Sequence, residues 1–244
     1  MRSVISNGSA SLQHHPIMKI AGLDLSISSS GIVIMELDDK FNVVNIERHG
    51  FVTTLKQQKL SPDMIYYNVK DYSCTYQRYQ FFCDYILKWC KDCDIVAVEE
   101  YAMGKSGAQG MIFSLAEFEG NIKMSLFREG KKLRFYPPGT HKKFFTGKGN
   151  AGKIRPYQTY KAYKGVKFDI SDLPVVVDDK KGNAPTSDLI DAYAICEMLR
   201  HELALKANVM ELHTLTVEQI QALTNSTDEH PGGLIKSNFD QFLI

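Results

Sequence analysis

The sequence predicts an α/β domain organised on one mixed sheet, and three features of the chain predict it. Lys19 to Leu37 (KIAGLDLSISSSGIVIMEL) holds two apolar runs joined by a serine-rich stretch, the pattern of two strands and a tight turn. Asp94 to Val98 reads as a short apolar run of the kind found in a strand covered on both faces. Other segments repeat apolar residues every three or four positions, the period of a helix packed on one side. Three strands followed by helix, strand, helix, strand and further helices give a five-stranded mixed sheet flanked by helices.

Taken in order, Ile20 to Leu25 is the first strand, Gly31 to Leu37 the second, and the alternating stretch Asn42 to Thr53 the third. Lys56 to Ser73 is polar, rich in tyrosine and contains Pro62, which predicts an irregular insertion. Thr75 to Lys91 is helical, with Tyr79, Phe82, Cys83, Ile86, Leu87 and Cys90 along one side. Asp94 to Val98, the fourth strand, ends in Glu99-Glu100. A second long helix covers Ala108 to Arg128, with Ile112, Leu115, Ala116, Ile122 and Leu126 on one side. Leu133 to Tyr136 is a fifth strand stopped by Pro137-Pro138. Ala151 to Lys164 reads as partly helical with Pro156 interrupting it, and residues 169–183 as a loop. Ser187 is the expected N-cap of a last core helix, SDLIDAYAICEMLRHELALK. Further on, TVEQ has the form of a capping box at Thr216 and Gln219. The expected organisation is a loose leader over 1–17, one domain over 18–205 with insertions near 56–73 and 158–183, and an extension over 206–244.

A content of 44% hydrophobic and 23% charged residues in 244 is enough for a substantial core, which excludes a disordered chain. No apolar run approaches the ~20 residues needed to cross a bilayer, and the first 17 residues lack the apolar centre of a secretory signal. Five cysteines, an odd number, suit reduced thiols and an intracellular setting. Cys90 and Cys93 form a CxxC, but no second CxxC follows and Cys83 and Cys90 share an apolar helix face, so a structural role is expected there.

The net charge of +1 hides a strong asymmetry. Between residues 131 and 167 stand Lys131, Lys132, Arg134, Lys142, Lys143, Lys148, Lys153, Arg155, Lys161, Lys164 and Lys167, with no Asp or Glu among them. Tyr136, Phe144, Phe145, Tyr157, Tyr160 and Tyr163 are interleaved. A one-signed patch concentrates polyanions by releasing their counterions, and aromatic faces stack on bases. A solvated basic face balanced by acids elsewhere is the plainer alternative; a run this long without an acid favours nucleic acid.

The acids complete the pattern. Asp24 lies in an apolar strand, where a carboxylate is costly to bury unless something charged sits against it. Alone it suits a strand-end Asp capping the following turn, a metal ligand, or the opening strand of an actin-like kinase. Glu99 ends the fourth strand, and Asp188 and Asp191 share one face of the last helix near its start. If the first and fourth strands are neighbours, four carboxylates meet at one sheet edge, repel each other and call for cations. Oxygen ligands of this kind suit Mg2+ or Mn2+, and a pair of ions ~3.5–4 Å apart would clamp a phosphodiester. Each acid also has an ordinary reading, Asp188 as a first-turn acid and Glu99-Glu100 as a strand-end pair.

The stretches IAGLDLSISSSG, IVAVEEYAMGKS, SLAEFEGNIK, FYPPGTHKKFFTGKGNAGK and TSDLIDAYAIC, in this order from Ile20 to about Arg200, resemble the RuvC family of Holliday junction resolvases. The resemblance implies a ribonuclease H-like fold and metal-dependent cutting of four-way junctions and other branched DNA. It places the family's four metal-binding acids, which hold two Mg2+ ions with Mn2+ as substitute, on Asp24, Glu99, Asp188 and Asp191. The two motif lysines near the scissile backbone fall on Lys142 and Lys153, the second of them counted with the catalytic residues. Lys143, Lys148, Arg155, Lys161 and Lys164 extend the DNA-binding set. The family's homodimer is built on the helix that here covers 108–128, and its products are nicks with 5′-phosphate and 3′-hydroxyl ends. Where bacterial members carry a wedge aromatic three residues after the catalytic Glu, this chain has Ala102, with Tyr101 adjoining as a candidate DNA contact. With its extra length this suggests a phage-type relative, acting in the bacterial or host cytoplasm. Two rivals stay open: a branch-binding protein that no longer cuts, and a small actin-like kinase.

Overall fold

The structure, a computed structural model, describes residues 18–53, 61–100, 109–179, 183–227 and 230–237. The expected leader and the wedge candidate Tyr101, with Ala102 and Met103, lie outside the described residues.

The sheet has six strands where the sequence predicts five. They are β1 (Met18–Asp24), β2 (Ser29–Leu37), β3 (Val43–Val52), β4 (Met64–Tyr66), β5 (Ile95–Glu99) and β6 (Lys132–Tyr136), in the order β4-β3-β2-β1-β5-β6. β1, β2 and β3 form an antiparallel meander; β5 and then β6 continue parallel to β1. This is the ribonuclease H-like arrangement, with β4 added parallel to the end of β3. Its three residues fall inside the stretch expected to be irregular. A strand that short carries no readable period, and it forms because Gly50–Val52 offers an open edge.

Side chains alternate along every central strand, so each face collects its own core. Ala21, Leu23, Val96 and Val98 meet Tyr79, Phe82, Cys83 and Ile86 of α1 (Thr75–Trp89) and Phe118, Ile122 and Leu126 of α2 (Gln109–Arg128). Ile20, Val33, Met35, Ile95 and Ala97 meet α5 (Thr186–Lys206). All but three of the 21 residues of α5 are buried, which is possible only because a further layer covers it. That layer is α3 (Thr140–Thr146), α4 (Ile154–Ala162), α6 (Val217–Thr224) and the segment around Leu234.

α5 approaches the sheet at two glycines. A Cβ on Gly22 would collide with the backbone of Ala192 and Cys196, and one on Gly31 with the backbone of Asp188 and Leu189. The glycines flanking the Asp24 turn therefore fix how closely the acid-bearing end of α5 lies over β1 and β2.

Three local expectations change. α5 begins at Thr186 with Pro185 in the cap position, and the hydroxyl of Ser187, the expected cap, donates instead to the charged Asp188 Oδ1 at 3.0 Å. Pro156 does not interrupt α4, because it sits in the first turn, where its missing amide has no partner to lose. α3 is an additional helix, clipped to seven residues by Gly139 and Gly147, both at positive φ. The capping box at Thr216 and Gln219 forms as expected. Among the described residues no helix is long and apolar enough to cross a membrane.

Candidate active site

β1 and β5 run parallel with Leu23 opposite Val98, so Asp24 and Glu99 end adjacent strands side by side. The first turns of α5 lie over the same edge and bring Asp188 and Asp191 to it. Three separate elements thus deliver all four carboxylates to one end of the sheet.

Their settings differ. Asp188 accepts hydrogen bonds from Ser29 Oγ at 2.5 Å and Ser187 Oγ at 3.0 Å. Asp191 is only 2% exposed; its Oδ2 accepts from Lys153 Nζ at 2.9 Å and lies 3.6 Å from Lys142 Nζ, while its buried Oδ1 has no hydrogen-bond partner among the described residues. Lys153 Nζ is also 3.7 Å from Asp188 Oδ1. Glu99 Oε1 accepts from the Gly139 amide at 2.6 Å and lies 3.4 Å from His141 Nδ1.

Burial, with the Asp191 charge behind it, pushes the Asp24 carboxyl well above the usual carboxylate range, although Lys153 pulls the other way. Burial also raises Asp188, against the pull of Lys153 and Ser29. Asp191 is as deeply buried, yet Lys153, Lys142 and His141 more than offset the desolvation and hold it below the usual range. Burial disfavours the charge on Lys153, but Asp191, Asp24 and Asp188 keep its ammonium protonated beyond the ordinary lysine range. Four carboxylates here face two ammonium groups, so the edge remains an attractive place for cations.

The donor set fits a hard divalent cation. All four acids offer oxygen, and the buried Oδ1 of Asp191, without a hydrogen-bond partner among the described residues, is free to ligate. Among the described residues no three Asp, Glu, His or Cys side chains converge at ligating distance; the Lys153 ammonium holds Asp188 and Asp191, and the Gly139 amide, just ahead of α3, holds Glu99.

The basic span does not form one face. Lys142 and Lys143 lie on α3, Lys148 follows it, Lys153 and Arg155 open α4, and Lys161 and Lys164 stand exposed at its far end. Arg134, however, is fully buried against Glu202. Lys131 and Lys132 lie at the opposite end of the sheet, where Lys131 Nζ donates to the carbonyls of Lys91 and Cys93. Lys167 Nζ donates to carbonyls at the end of α4. The interleaved aromatics are a second correction. Tyr136, Phe144, Tyr157 and Tyr160 are buried and Phe145 and Tyr163 pack against the same core, because short helices need apolar faces to stay on α5. None of the six forms an exposed stacking platform.

Sequence reasoning missed the groups that support the acids. Ser29 is one of four serines around the turn, and only the fold shows which one reaches Asp188. Gly139 and His141 contact Glu99 from 40 and 42 residues away, and the one available signal was that His141 directly precedes Lys142.

No protein-family model and no curated protein matches the sequence. Among solved structures, the chain is similar to Thermus thermophilus RuvC, at 20% identity over 79% of this chain and 98% of that one, with a TM-score of 0.46. It is also similar to T. thermophilus RuvC in complex with Holliday junction substrate, at 17% identity over 79% and 97%, TM-score 0.47. The yeast mitochondrial Holliday junction resolvase Ydc2 is similar at 12% identity over 79% and 82%, TM-score 0.44.

Proposed function

We propose that this chain is a metal-dependent endonuclease that nicks branched DNA, four-way junctions above all, as a homodimer. The observation that carries the reading is the meeting of Asp24, Glu99, Asp188 and Asp191 from three elements at one sheet edge, beside lysine-bearing helices. A protein that only binds DNA gains nothing from a self-repelling acidic cluster facing a polyanion. The five motif blocks named above support the same reading. The four acids would hold two Mg2+ ions, with Mn2+ as substitute; such ions polarise a phosphodiester and neutralise the charge that builds on it.

The protein's own part is positional. Ser29 and Ser187 fix the Asp188 carboxylate, and Gly139 fixes that of Glu99. Lys153 and Lys142 balance the cluster before DNA arrives and are placed to meet the phosphate when it does. The test is to compare cleavage with binding for single lysines. Lys153→Ala and Lys142→Ala should reduce junction cutting far more than junction affinity. Lys161→Ala and Lys164→Ala should weaken affinity and lower its salt slope by about one per lost phosphate contact, measured by titration at several salt concentrations. If all four behave alike, the division between catalytic and binding lysines fails.

The dimer has a matching surface. Phe113, Met124 and Phe127 are 73%, 50% and 45% exposed, and with Gly120 they form a stripe at helical spacing along the outer side of α2. Two copies would supply two sites for opposed strands. Light scattering at micromolar concentration should give twice the chain mass, and Phe113→Glu combined with Phe127→Glu should give a monomer; a monomeric wild type counts against paired nicking.

A further inference from the structure

His141 is the feature of the site that the proposed chemistry has not used. It is 1% exposed, lies in the first turn of α3, and neither ring nitrogen has a hydrogen bond among the described residues. A buried imidazole left this way is unfavourable, and an apolar side chain would fill the space without that cost, so its polar edge calls for an explanation. Its Nδ1 stands 3.4 Å from Glu99 Oε1, the same oxygen that accepts the Gly139 amide at 2.6 Å. The positive φ of Gly139 turns the chain so that an amide and, two residues on, an imidazole face one carboxylate oxygen.

We propose that His141 is a positioning residue: with the Gly139 amide it fixes the Glu99 carboxylate through Oε1, leaving the other oxygen for the divalent cation. The inference rests on the endonuclease reading above. It requires a proton on Nδ1, the ring nitrogen that faces Glu99 Oε1. Groups that orient a ligating carboxylate from behind typically change metal affinity by roughly 10–100-fold when removed.

The test uses two isosteres that differ in where they place a donor. The amide nitrogen of Asn falls near the position of His Nδ1, and that of Gln near Nε2. Mn2+ affinity of the full chain without DNA is measured by calorimetry for wild type, His141→Asn and His141→Gln, beside the melting temperature of each metal-free protein and junction cutting. His141→Gln should bind Mn2+ at least about tenfold more weakly, with His141→Asn near wild type and cutting following affinity. Equal Mn2+ affinity in Asn and Gln variants, whether both near wild type or both weakened, overturns the role of His141 while leaving the nuclease reading standing. A difference in melting temperature alone, with Mn2+ affinity unchanged, makes His141 a packing residue and overturns the role too. Wild type that binds no Mn2+ and cuts nothing overturns both.

Discussion

Asp24→Asn should abolish cutting and at the same time stabilise the metal-free protein. The folded state holds the Asp24 carboxyl well above the usual range, through burial and the Asp191 charge. A carboxyl raised in this way takes up protons more readily folded than unfolded, so stability falls as pH rises from the unfolded value through the folded one. At neutral pH, above the unfolded value, the upward shift therefore opposes folding, and a neutral isostere removes that opposition. The melting temperature without metal should rise, the increment that Mg2+ or Mn2+ adds should shrink, and cleavage should fall by more than roughly a hundredfold, since a ligand is lost rather than a group behind one. Asp188→Asn should lose cutting to a similar degree, with junction binding intact or stronger because less negative charge faces DNA. A variant that cuts near the wild-type rate would remove that residue from the metal set.

The second large effect lies away from the site. Glu202 is fully buried and accepts Arg134 Nη2 at 2.6 Å, Arg134 Nε at 3.1 Å, Tyr136 OH at 2.9 Å and Lys206 Nζ at 2.9 Å. Arg134 also donates to Leu234 O and Ser237 Oγ, so one ion pair ties β6, α5 and the C-terminal segment together. Glu202→Ala leaves a guanidinium uncompensated in the core and should cost on the order of 3–5 kcal/mol in urea unfolding. Replacing both partners with apolar residues, Arg134→Met with Glu202→Leu, should cost much less, because the fully buried guanidinium goes with its partner and the Lys206 ammonium, which is partly exposed, keeps the Ser237 carbonyl. A mild effect of Glu202→Ala would mean that water reaches Arg134.

The same pair explains where the sequence misleads. Arg134 stands in a basic run, but its partner is 68 residues away, and only the sheet decides that β6 carries the arginine inward. A charge run adjacent in sequence was scattered over two ends of the sheet and one buried pair, whereas acids far apart in sequence converged. The acids were legible because each sits at a position that a periodicity can locate: the end of an apolar strand or the first turns of a long helix. The parallel pairing of β1 with β5 then supplies the one juxtaposition that no local pattern contains. α3 and β4 were illegible for the opposite reason, since seven and three residues are too few for a period to show. Their glycine and edge-strand causes are visible only once the neighbours are in place.

The most direct measurement is a strand-labelled four-way junction incubated with the full chain and resolved on a denaturing gel, with Mg2+, with Mn2+ and with chelator. The predicted result is paired nicks on opposed strands that require either cation, carry ligatable ends and disappear with Asp24→Asn. Intact strands under Mg2+ and Mn2+, from wild-type protein that binds the junction, would contradict it and leave a branch-binding protein in its place.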